Sequence, residues 1–458
     1  MGKLRYRIAL AAAKCSVLAL RITKHNGTNF PGIVALRICP DFLKYIKKPK
    51  TIYGVTGTNG KTTVSNLLND AFRTLGKRVL NNSLGSNINT GIATALISGV
   101  TFFGREKYDL AVLEIDERSA RLVFPYVHPD YLIINNLSRD SIMRNGHPEY
   151  IRNILTRYMP EETKLILNAD DMLSAFTAPE NERVYFAIDH LPSDKKEPDN
   201  LINDMEICPK CGSRLAYEYV RYSNIGRAYC PDCGFHAPDA KYRGAEVDFE
   251  KKLLTFRAGD EEEVYPLLNE STFNIYNEVA VLSLLYETGC SKEEIRKAIE
   301  SVGITKSRYD EEKIGSRRII TMLSKDRNAY ANSRVFEYLS SQDGEKEIVL
   351  MINNMSDAKK WSENVCWLYD CDFELLNDES IRNIIVTGDR GKDYVLRLLF
   401  AGIDPSRVSY AEEPDGIPAK LKLFENDQIY ILYGTDVIAL GRRITEKISQ
   451  RVREVSEA

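Results

Sequence analysis

The stretch Gly54-Val55-Thr56-Gly57-Thr58-Asn59-Gly60-Lys61-Thr62-Thr63 combines glycine turns, hydroxyls and one lysine in the pattern of a phosphate loop. A β-rich run precedes it and a helical pattern follows. Backbone N–H groups and a helix N-terminus then converge on one point, which suits a polyphosphate. In that arrangement Lys61 neutralises the β- and γ-phosphates of ATP, and Thr62 offers its hydroxyl to Mg²⁺. The form GxTGTNGKTT is narrower than the generic GxxxxGK[ST], because Val55 stands where the generic loop has its first glycine. A metal-bound triphosphate also needs a carboxylate at the end of a neighbouring strand. Asp109-Leu110-Ala111-Val112-Leu113-Glu114 supplies one, which makes Glu114 the expected Mg²⁺ ligand. Asp116 and Glu117 follow closely enough to share the role, and a helix N-cap cluster is the plainer reading of these acids.

A second constellation lies in Cys208-Pro209-Lys210-Cys211 and Cys230-Pro231-Asp232-Cys233, spaced C-x2-C-x18-C-x2-C. Each pair fits a tight knuckle, so four thiolates close a tetrahedral Zn²⁺ site. A full four-cysteine shell leaves no open position, so this zinc is structural. The five histidines, His25, His128, His147, His190 and His236, stand apart from any nucleophile pattern. The chain therefore lacks Cys–His machinery for hydrolysing glutamine.

Strands alternating with helices must position these groups. Thr51–Val55, Arg78–Leu80, Leu110–Leu113, Tyr131–Ile134 and Leu165–Leu167 read as short buried strands, and Thr63–Leu75 as a helix. This rhythm predicts a parallel, doubly wound sheet. The cysteine-rich segment, about 205–238, interrupts it. A β-like segment and helices at about Asn274–Thr288 and Ser291–Val302 follow. Beyond Lys306 a second alternation starts, with strands at Arg318–Met322, Ile348–Ile352, Ile384–Thr387 and Ile429–Leu432 and helices at about 391–401 and 435–449. The expected fold class is α/β: a central phosphate-loop domain with a parallel sheet and an inserted four-cysteine zinc ribbon, plus a smaller α/β C-terminal domain. Boundaries fall at 1–48 for an N-terminal helical segment, 49–304 for the central domain and 305–458 for the C-terminal domain.

Composition narrows the class. At 458 residues the chain exceeds one ordinary core. A net charge of −3 gives no electrostatic case for general nucleic-acid binding. Nine cysteines, an odd number, with no secretion signal argue for a reducing cytoplasm. Residues 3–24 mix Leu, Ile, Val and Ala with Lys3, Arg5, Arg7, Lys14, Arg21 and Lys24. The longest uncharged stretch, Ile8–Ala13, is far short of a membrane span. The first reading is a basic amphipathic helix packed on the body. The second is a helix resting on the inner, anionic face of the membrane. A further helical pattern covers Ile33–Ile46.

Several stretches together resemble the MurT family, the Mur-ligase-like subunits of bacterial lipid II isoglutaminyl synthases. They are ALRICPDFL at 35–43, GVTGTNGKTTV at 54–64, AVLEIDERS at 111–119, NNLSRD at 135–140, LNADD at 167–171 and FNIYN at 273–277, with the four-cysteine insertion. WLYDCDFE at 367–374 and VTGDRG at 386–391 extend the likeness into the C-terminal part. The phosphate loop alone resembles the wider Mur ligase superfamily. The resemblance implies ATP-dependent phosphorylation of the α-carboxyl of D-glutamate in the lipid II stem peptide. Ammonia then displaces phosphate, giving D-isoglutamine. The ammonia comes from a partner, a GatD-like class I glutamine amidotransferase. Carried over position by position, Lys61, Thr62 and Glu114 match the ATP–Mg²⁺ site within the loop Gly57, Thr58, Asn59, Gly60, Lys61, Thr62 and Thr63. Asn274 matches the position that contacts the nucleotide base. Arg308 matches the arginine opening the C-terminal domain, with Ser307 in place of the family's glycine. Asp357 matches the aspartate that completes the partner's Cys–His triad, with Asp370 as the alternative.

The chain departs from the family at Ala358, in place of glycine, and in a longer spacer between Asp357 and Trp367. The usual Lys-Asn-Pro-Ala-Gly stretch reads Lys325-Asp326-Arg327-Asn328-Ala329. Two alternatives stand beside this reading. One is an amino-acid-adding Mur ligase or folylpolyglutamate synthase relative. Those enzymes use a histidine where this chain has Ser141, and they lack a four-cysteine insertion. The other is a non-catalytic nucleotide-binding scaffold for a glutaminase.

Overall fold

A computed structural model of the chain describes residues 2–23, 27–82, 86–139, 147–198, 200–302, 309–324, 328–352, 365–424, 428–434 and 437–457. The chain divides into two compact units. The first holds residues 1–138, 147–199 and 203–305, and the second holds 139–146, 200–202 and 306–458.

In the first unit, helices α1 (Gly2–Ile22), α2 (Phe30–Ile38) and α3 (Phe42–Tyr45) precede strand β1 (Thr51–Thr56). The helical pattern expected over Ile33–Ile46 is broken between α2 and α3. Pro40 has no N–H to continue the ladder, so a turn forms there. Then come α4 (Lys61–Thr74), β2 (Val79–Asn81), α5 (Asn89–Gly99), β3 (Leu110–Glu114), α6 (Ala120–Val123) and β4 (Tyr131–Ile134). Helix α7 (Pro148–Tyr158), β5 (Lys164–Asn168), α8 (Met172–Ala175) and β6 (Arg183–Ile188) complete the alternation. Strands β7 (Ala216–Tyr222) and β8 (Ile225–Tyr229) form a separate hairpin. Strands β9 (Tyr242–Asp248), β10 (Leu253–Ala258) and β11 (Glu261–Pro266) and helices α9 (Thr272–Glu287) and α10 (Lys292–Ser301) close the unit.

The main sheet runs β11-β10-β9-β6-β5-β4-β1-β3-β2 among the described residues. Pairing is parallel from β2 through to β9 and antiparallel at β9–β10–β11. The central strands are buried on both faces, which is why they read as continuous apolar runs rather than alternating ones. The chain leaves β1 toward β2, returns through β3, then crosses to β4 on the other side of β1. Strand order reverses around β1, and ligands of open α/β sheets sit at the carboxyl ends of strands at such a reversal.

Helices α1, α2 and α5 pack together on this unit, so the N-terminal helices share its core rather than forming a body of their own. The contact between α2 and α5 is close: a Cβ on Gly32 would lie 1.9 Å from the Thr90 carbonyl. Lys14 caps the end of α5, donating to the carbonyls of Ile97 and Val100 at 2.5 Å each. Burial and the nearby Lys107 lower its ammonium to about 8.

The second unit has strands β12 (Tyr309–Ile314), β13 (Arg317–Ser324), β14 (Lys346–Met351), β15 (Ile381–Thr387), β16 (Val408–Ala411) and β17 (Gln428–Gly434). Their order is β12-β13-β17-β14-β15-β16, parallel except at β12–β13. Helices α11 (Ala329–Ser341), α12 (Gly391–Phe400) and α13 (Ile438–Glu457) accompany the sheet. Phe336, Trp367, Phe373 and Tyr394 build the core on one face, and Ile417, Ile444, Ile448 and Val452 the core on the other.

Candidate functional site

The loop Gly57-Thr58-Asn59-Gly60 leaves the carboxyl end of β1 and enters α4 at Lys61. Gly60 has a left-handed φ of 86°, and a Cβ there would lie 2.2 Å from Asn277 Oδ1. Gly57 has φ 128°, and its Cβ would lie 2.9 Å from the Asn136 carbonyl. Both glycines let neighbouring chain close over the loop. The segment after β4 is the main brace. Thr58 N–H donates to the Asn136 carbonyl at 2.8 Å, and Asn59 N–H to Asn136 Oδ1 at 3.0 Å. Thr58 Oγ1 accepts from Ser138 N–H at 3.0 Å.

Lys61 Nζ is drawn back over the loop. It donates to the Gly57 carbonyl and to Glu117 Oε1, the latter at 2.8 Å. Burial opposes its charge, but Glu117, Glu114 and Asp116 outweigh burial and hold the ammonium above the usual lysine range. Burial likewise pushes the Glu117 carboxyl up, against the pull of Lys61. Thr62 Oγ1 donates to Glu114 Oε2 at 2.9 Å, so the two expected Mg²⁺ ligands are side by side. Glu114 is clamped: Asn87 Nδ2 donates to its Oε1 at 2.8 Å, and Asn82 exchanges hydrogen bonds with its backbone at 2.9 Å. The three acids at the end of β3 and just beyond it therefore have separate tasks. Glu114 pairs with Thr62, Glu117 with Lys61, and Asp116 caps the turn by accepting from the N–H groups of Arg118 and Ser119.

Asn274 lies in the first turn of α9, accepting from Asn277 Nδ2 at 3.0 Å. Asn277 Oδ1 in turn accepts from Asn135 Nδ2 at 2.6 Å, against Gly60. Asn277 rather than Asn274 is thus the residue of the FNIYN stretch that touches the phosphate loop. Thr63 follows in the first turn of α4. Among the described residues, three buried polar atoms beside the loop, Asn59 Nδ2, Asn135 Oδ1 and Ser138 Oγ, have no hydrogen-bond partner. Orphaned donors and acceptors, a carboxylate–hydroxyl pair and a lysine together fit a Mg²⁺-bound polyphosphate. Arg308 and Asp357 lie outside the described residues, as does Ser141. Asp370 is described: its Oδ1 lies 3.5 Å from Arg139 Nη1.

Each CxxC pair forms a knuckle closed by glycine. Cys208 N–H donates to the Ser213 carbonyl and Gly212 N–H to that of Cys208; Cys230, Phe235 and Gly234 repeat the pattern. All four Sγ atoms lie within 4.8 Å of one another, with Cys208–Cys233 at 3.7 Å and Cys211–Cys230 at 3.5 Å. Four sulfurs at about 2.3 Å from a tetrahedral Zn²⁺ stand about 3.8 Å apart, so the donor set fits that ion.

The hairpin β7–β8 beyond the knuckles is tied to the carboxyl end of β5. Arg221 pairs with Asp170 and Asp194, each at 2.9 Å, and Tyr276 of α9 donates to Asp170 at 2.7 Å. Asn224 Nδ2 donates to Asp171 at 3.1 Å, and Asp171 accepts from Leu137 N–H at 2.6 Å. Burial raises the Asp171 carboxyl to about 7, despite its N–H donors. A continuous polar path therefore runs from the hairpin through Asp171 to the segment bracing Thr58 and Asn59.

Sequence reasoning located the loop, Glu114 and the cysteines. It missed Asn82, Asn87, Asn136 and Asn277, whose roles arise only when β2, β4 and α9 are brought around β1. The one available signal was that three of these stand in or beside asparagine-containing stretches at 81–87 and 135–136.

Residues 55–197 match the Mur ligase middle domain family, and residues 326–435 match the MurT ligase C-terminal family. A protein of Staphylococcus aureus (strain COL) named lipid II isoglutaminyl synthase (glutamine-hydrolyzing) subunit MurT is 32% identical over 406 residues, 88% of this chain and 89% of its own. The protein of that name from Streptococcus pneumoniae (strain ATCC BAA-255 / R6) is 28% identical over 409 residues, 88% of each chain. Among solved structures, a pseudomurein peptide ligase type C from Methanothermus fervidus superposes with TM-score 0.64 at 22% identity, covering 89% of this chain and 81% of its own. MurF ligase from Thermotoga maritima in complex with ADP gives 0.58 at 13%, covering 93% and 84%. These likenesses establish the fold as that of the Mur ligases.

Proposed function

The chain belongs to the MurT family, and from that premise we propose that it is the ATP-consuming half of a glutamine-dependent amidotransferase acting on lipid II. The α-carboxyl of D-glutamate in the stem peptide is activated as an acyl phosphate. Ammonia attacks the acyl carbon, phosphate departs, and D-isoglutamine remains. Activation is required because a free carboxylate is a poor acyl donor. The observation that carries the reading is the convergence of Lys61, Thr62 and Glu114 at the carboxyl ends of β1 and β3.

Lys61 supplies the positive charge that offsets the developing negative charge of the transferred phosphoryl group. Thr62 and Glu114 would hold Mg²⁺, which would supply positive charge against the triphosphate. The loop N–H groups from Gly57 to Thr63 orient the triphosphate. Asn274 and Arg308 are assigned to the nucleotide. The four cysteines hold a structural Zn²⁺ that fixes the ribbon. The nitrogen comes from a GatD-like class I glutaminase, whose Cys–His pair Asp357 completes.

The test is the purified chain with a candidate class I glutaminase, lipid II, ATP and glutamine, read by mass spectrometry of the stem peptide. Amidated product is expected with glutamine, and with free ammonia in the absence of the partner. No product from either nitrogen source overturns the ligase reading and leaves a nucleotide-binding scaffold.

A further inference from the structure

Helix α1 buries one side against the body through Ala9, Leu10 and Ala13. An amphipathic surface helix should then show water a polar face. This one does not. Leu4, Ile8, Ala11, Cys15, Leu18 and Ile22 recur at alternating steps of four and three, which places them in one stripe on the side facing away from the body. Leu4 is 66% and Ile22 74% exposed. At 1.5 Å per residue the stripe is about 27 Å long. Lys3, Arg5, Arg7 and Arg21 flank it, all exposed. Residues 1–40 contain seven Lys and Arg and no Asp or Glu, in a chain whose net charge is −3.

A second apolar feature stands beside this helix. Phe102 and Phe103 occupy the tip of a turn, with Phe103 91% exposed. The turn is a hydrogen-bonded structure. Thr101 N–H donates to the Arg105 carbonyl at 2.7 Å, Gly104 N–H to the Thr101 carbonyl at 3.0 Å, and Arg105 N–H to Thr101 Oγ1 at 2.9 Å. It abuts α1, since a Cβ on Gly104 would lie 4.0 Å from the Tyr6 hydroxyl. Arg105 and Lys107, with Glu106 between them, surround the two rings and are exposed.

We propose that α1 and the Phe102–Phe103 turn form one docking surface for an anionic phospholipid bilayer. The stripe and the two rings enter the acyl boundary, while the flanking lysines and arginines meet lipid phosphates. An in-plane basic helix with an apolar outer face binds in this manner, and basic side chains near an anionic surface add to its affinity. No helix among the described residues is long and apolar enough to cross a membrane, so the contact is peripheral. Pairing with a second copy through the stripe is disfavoured. It would set Lys3, Arg5, Arg7 and Arg21 against their own counterparts, with no carboxylate on the helix to offset them.

The experiment is co-sedimentation of the full chain with vesicles, without nucleotide or glutamine, so that its failure leaves the amidation reading untouched. Vesicles of phosphatidylcholine alone are compared with vesicles also containing phosphatidylglycerol. Binding is expected to the anionic vesicles and to weaken as salt is raised. The double variant Phe102→Ser/Phe103→Ser should lose roughly tenfold or more in partitioning while keeping its unfolding temperature. Arg5→Glu/Arg7→Glu should abolish the preference for anionic lipid. In Phe103→Trp, the indole emission should shift to the blue on adding anionic vesicles. Absence of binding to anionic vesicles, no emission shift, or unchanged partitioning of the double variants overturns the proposal. So does a dimer in solution that Leu18→Glu dissociates, which would give the stripe to a second copy.

Discussion

Lys61 and Glu117 form a buried ion pair inside the phosphate loop, with side chains only 11% and 6% exposed. The pair keeps the lysine charged where burial would otherwise discharge it. Two predictions belong at this scale. Replacing Lys61 with alanine removes the one cation on the loop, so amidation should fall by about a hundredfold or more with either nitrogen source, measured as kcat with ammonia and with glutamine. Replacing Glu117 with glutamine leaves Lys61 buried without its counter-charge. The nucleotide-free protein should lose about 3 kcal/mol of stability, and ATP with Mg²⁺ should recover more unfolding temperature than in the unsubstituted chain, because phosphate supplies the missing negative charge. Equal recovery in both proteins would show that Glu117 does not serve as the lysine's counter-ion.

Among the elements, the ribbon and α9 carry consequences beyond their own packing. The β7–β8 hairpin reaches the segment bracing Thr58 and Asn59 through Asn224, Asp171 and Leu137 N–H. If the four cysteines hold zinc as proposed, chelation or Cys208→Ser should weaken ATP binding several-fold as well as lower the unfolding temperature. Isothermal titration with ATP before and after chelation measures this, and unchanged affinity would disconnect the ribbon from the loop. Helix α9 is buried on nearly all sides and carries Glu278, whose carboxyl accepts from Leu268 N–H at 2.9 Å. Burial pushes that carboxyl up to about 8, offset in part by the Leu268 N–H. A raised folded-state pKa means the folded protein holds a proton that the unfolded chain releases from about pH 4.5 upward. The stabilisation is complete below that pH and is lost as pH rises toward 8. Asp171 acts in the same direction up to about 7. Between pH 7 and 8 the fall due to these two acids belongs to Glu278. Glu278→Gln should flatten it by about 1 kcal/mol, read from denaturant melts at the two pH values.

For the whole molecule, two units with separate sheets divide the proposed labour. The first carries the phosphate loop and the ribbon. The second carries the stretch matching the MurT ligase C-terminal family, to which Asp357 belongs. If Asp357 serves the partner's triad, Asp357→Ala should abolish glutamine-driven amidation and leave the ammonia-driven reaction within about twofold. Loss of both would place Asp357 in the chemistry of this chain instead, and survival of both would pass the role to Asp370. The N-terminal forty residues, basic and without a carboxylate, give this unit a face suited to the membrane in which a lipid-linked substrate resides.

Much of the site was legible in the chain itself, because its chemistry is local. A loop whose glycines must adopt left-handed backbone, a lysine at its end, and two knuckles of paired cysteines each lie within a few residues. The parallel strands were also legible, since burial on both faces writes itself as continuous apolar runs. Other features depend on strand order, which no short window contains. Asn82 clamps Glu114 because β2 lies beside β3, and Asn136 braces Thr58 because β4 lies beside β1. The same limit hid the division of labour among Glu114, Asp116 and Glu117, which are adjacent in sequence but are drawn apart by Thr62, the local turn and Lys61. The basic helix at the start shows it most clearly. Its composition reads as amphipathic, with the apolar side for the body or for an anionic membrane surface. Only packing shows that Ala9, Leu10 and Ala13, with Tyr6 and Val17 beside them, take the body side, while Leu4, Ile8, Leu18 and Ile22 stay outside, because which side of the helix meets α2 and α5 is set by tertiary contact.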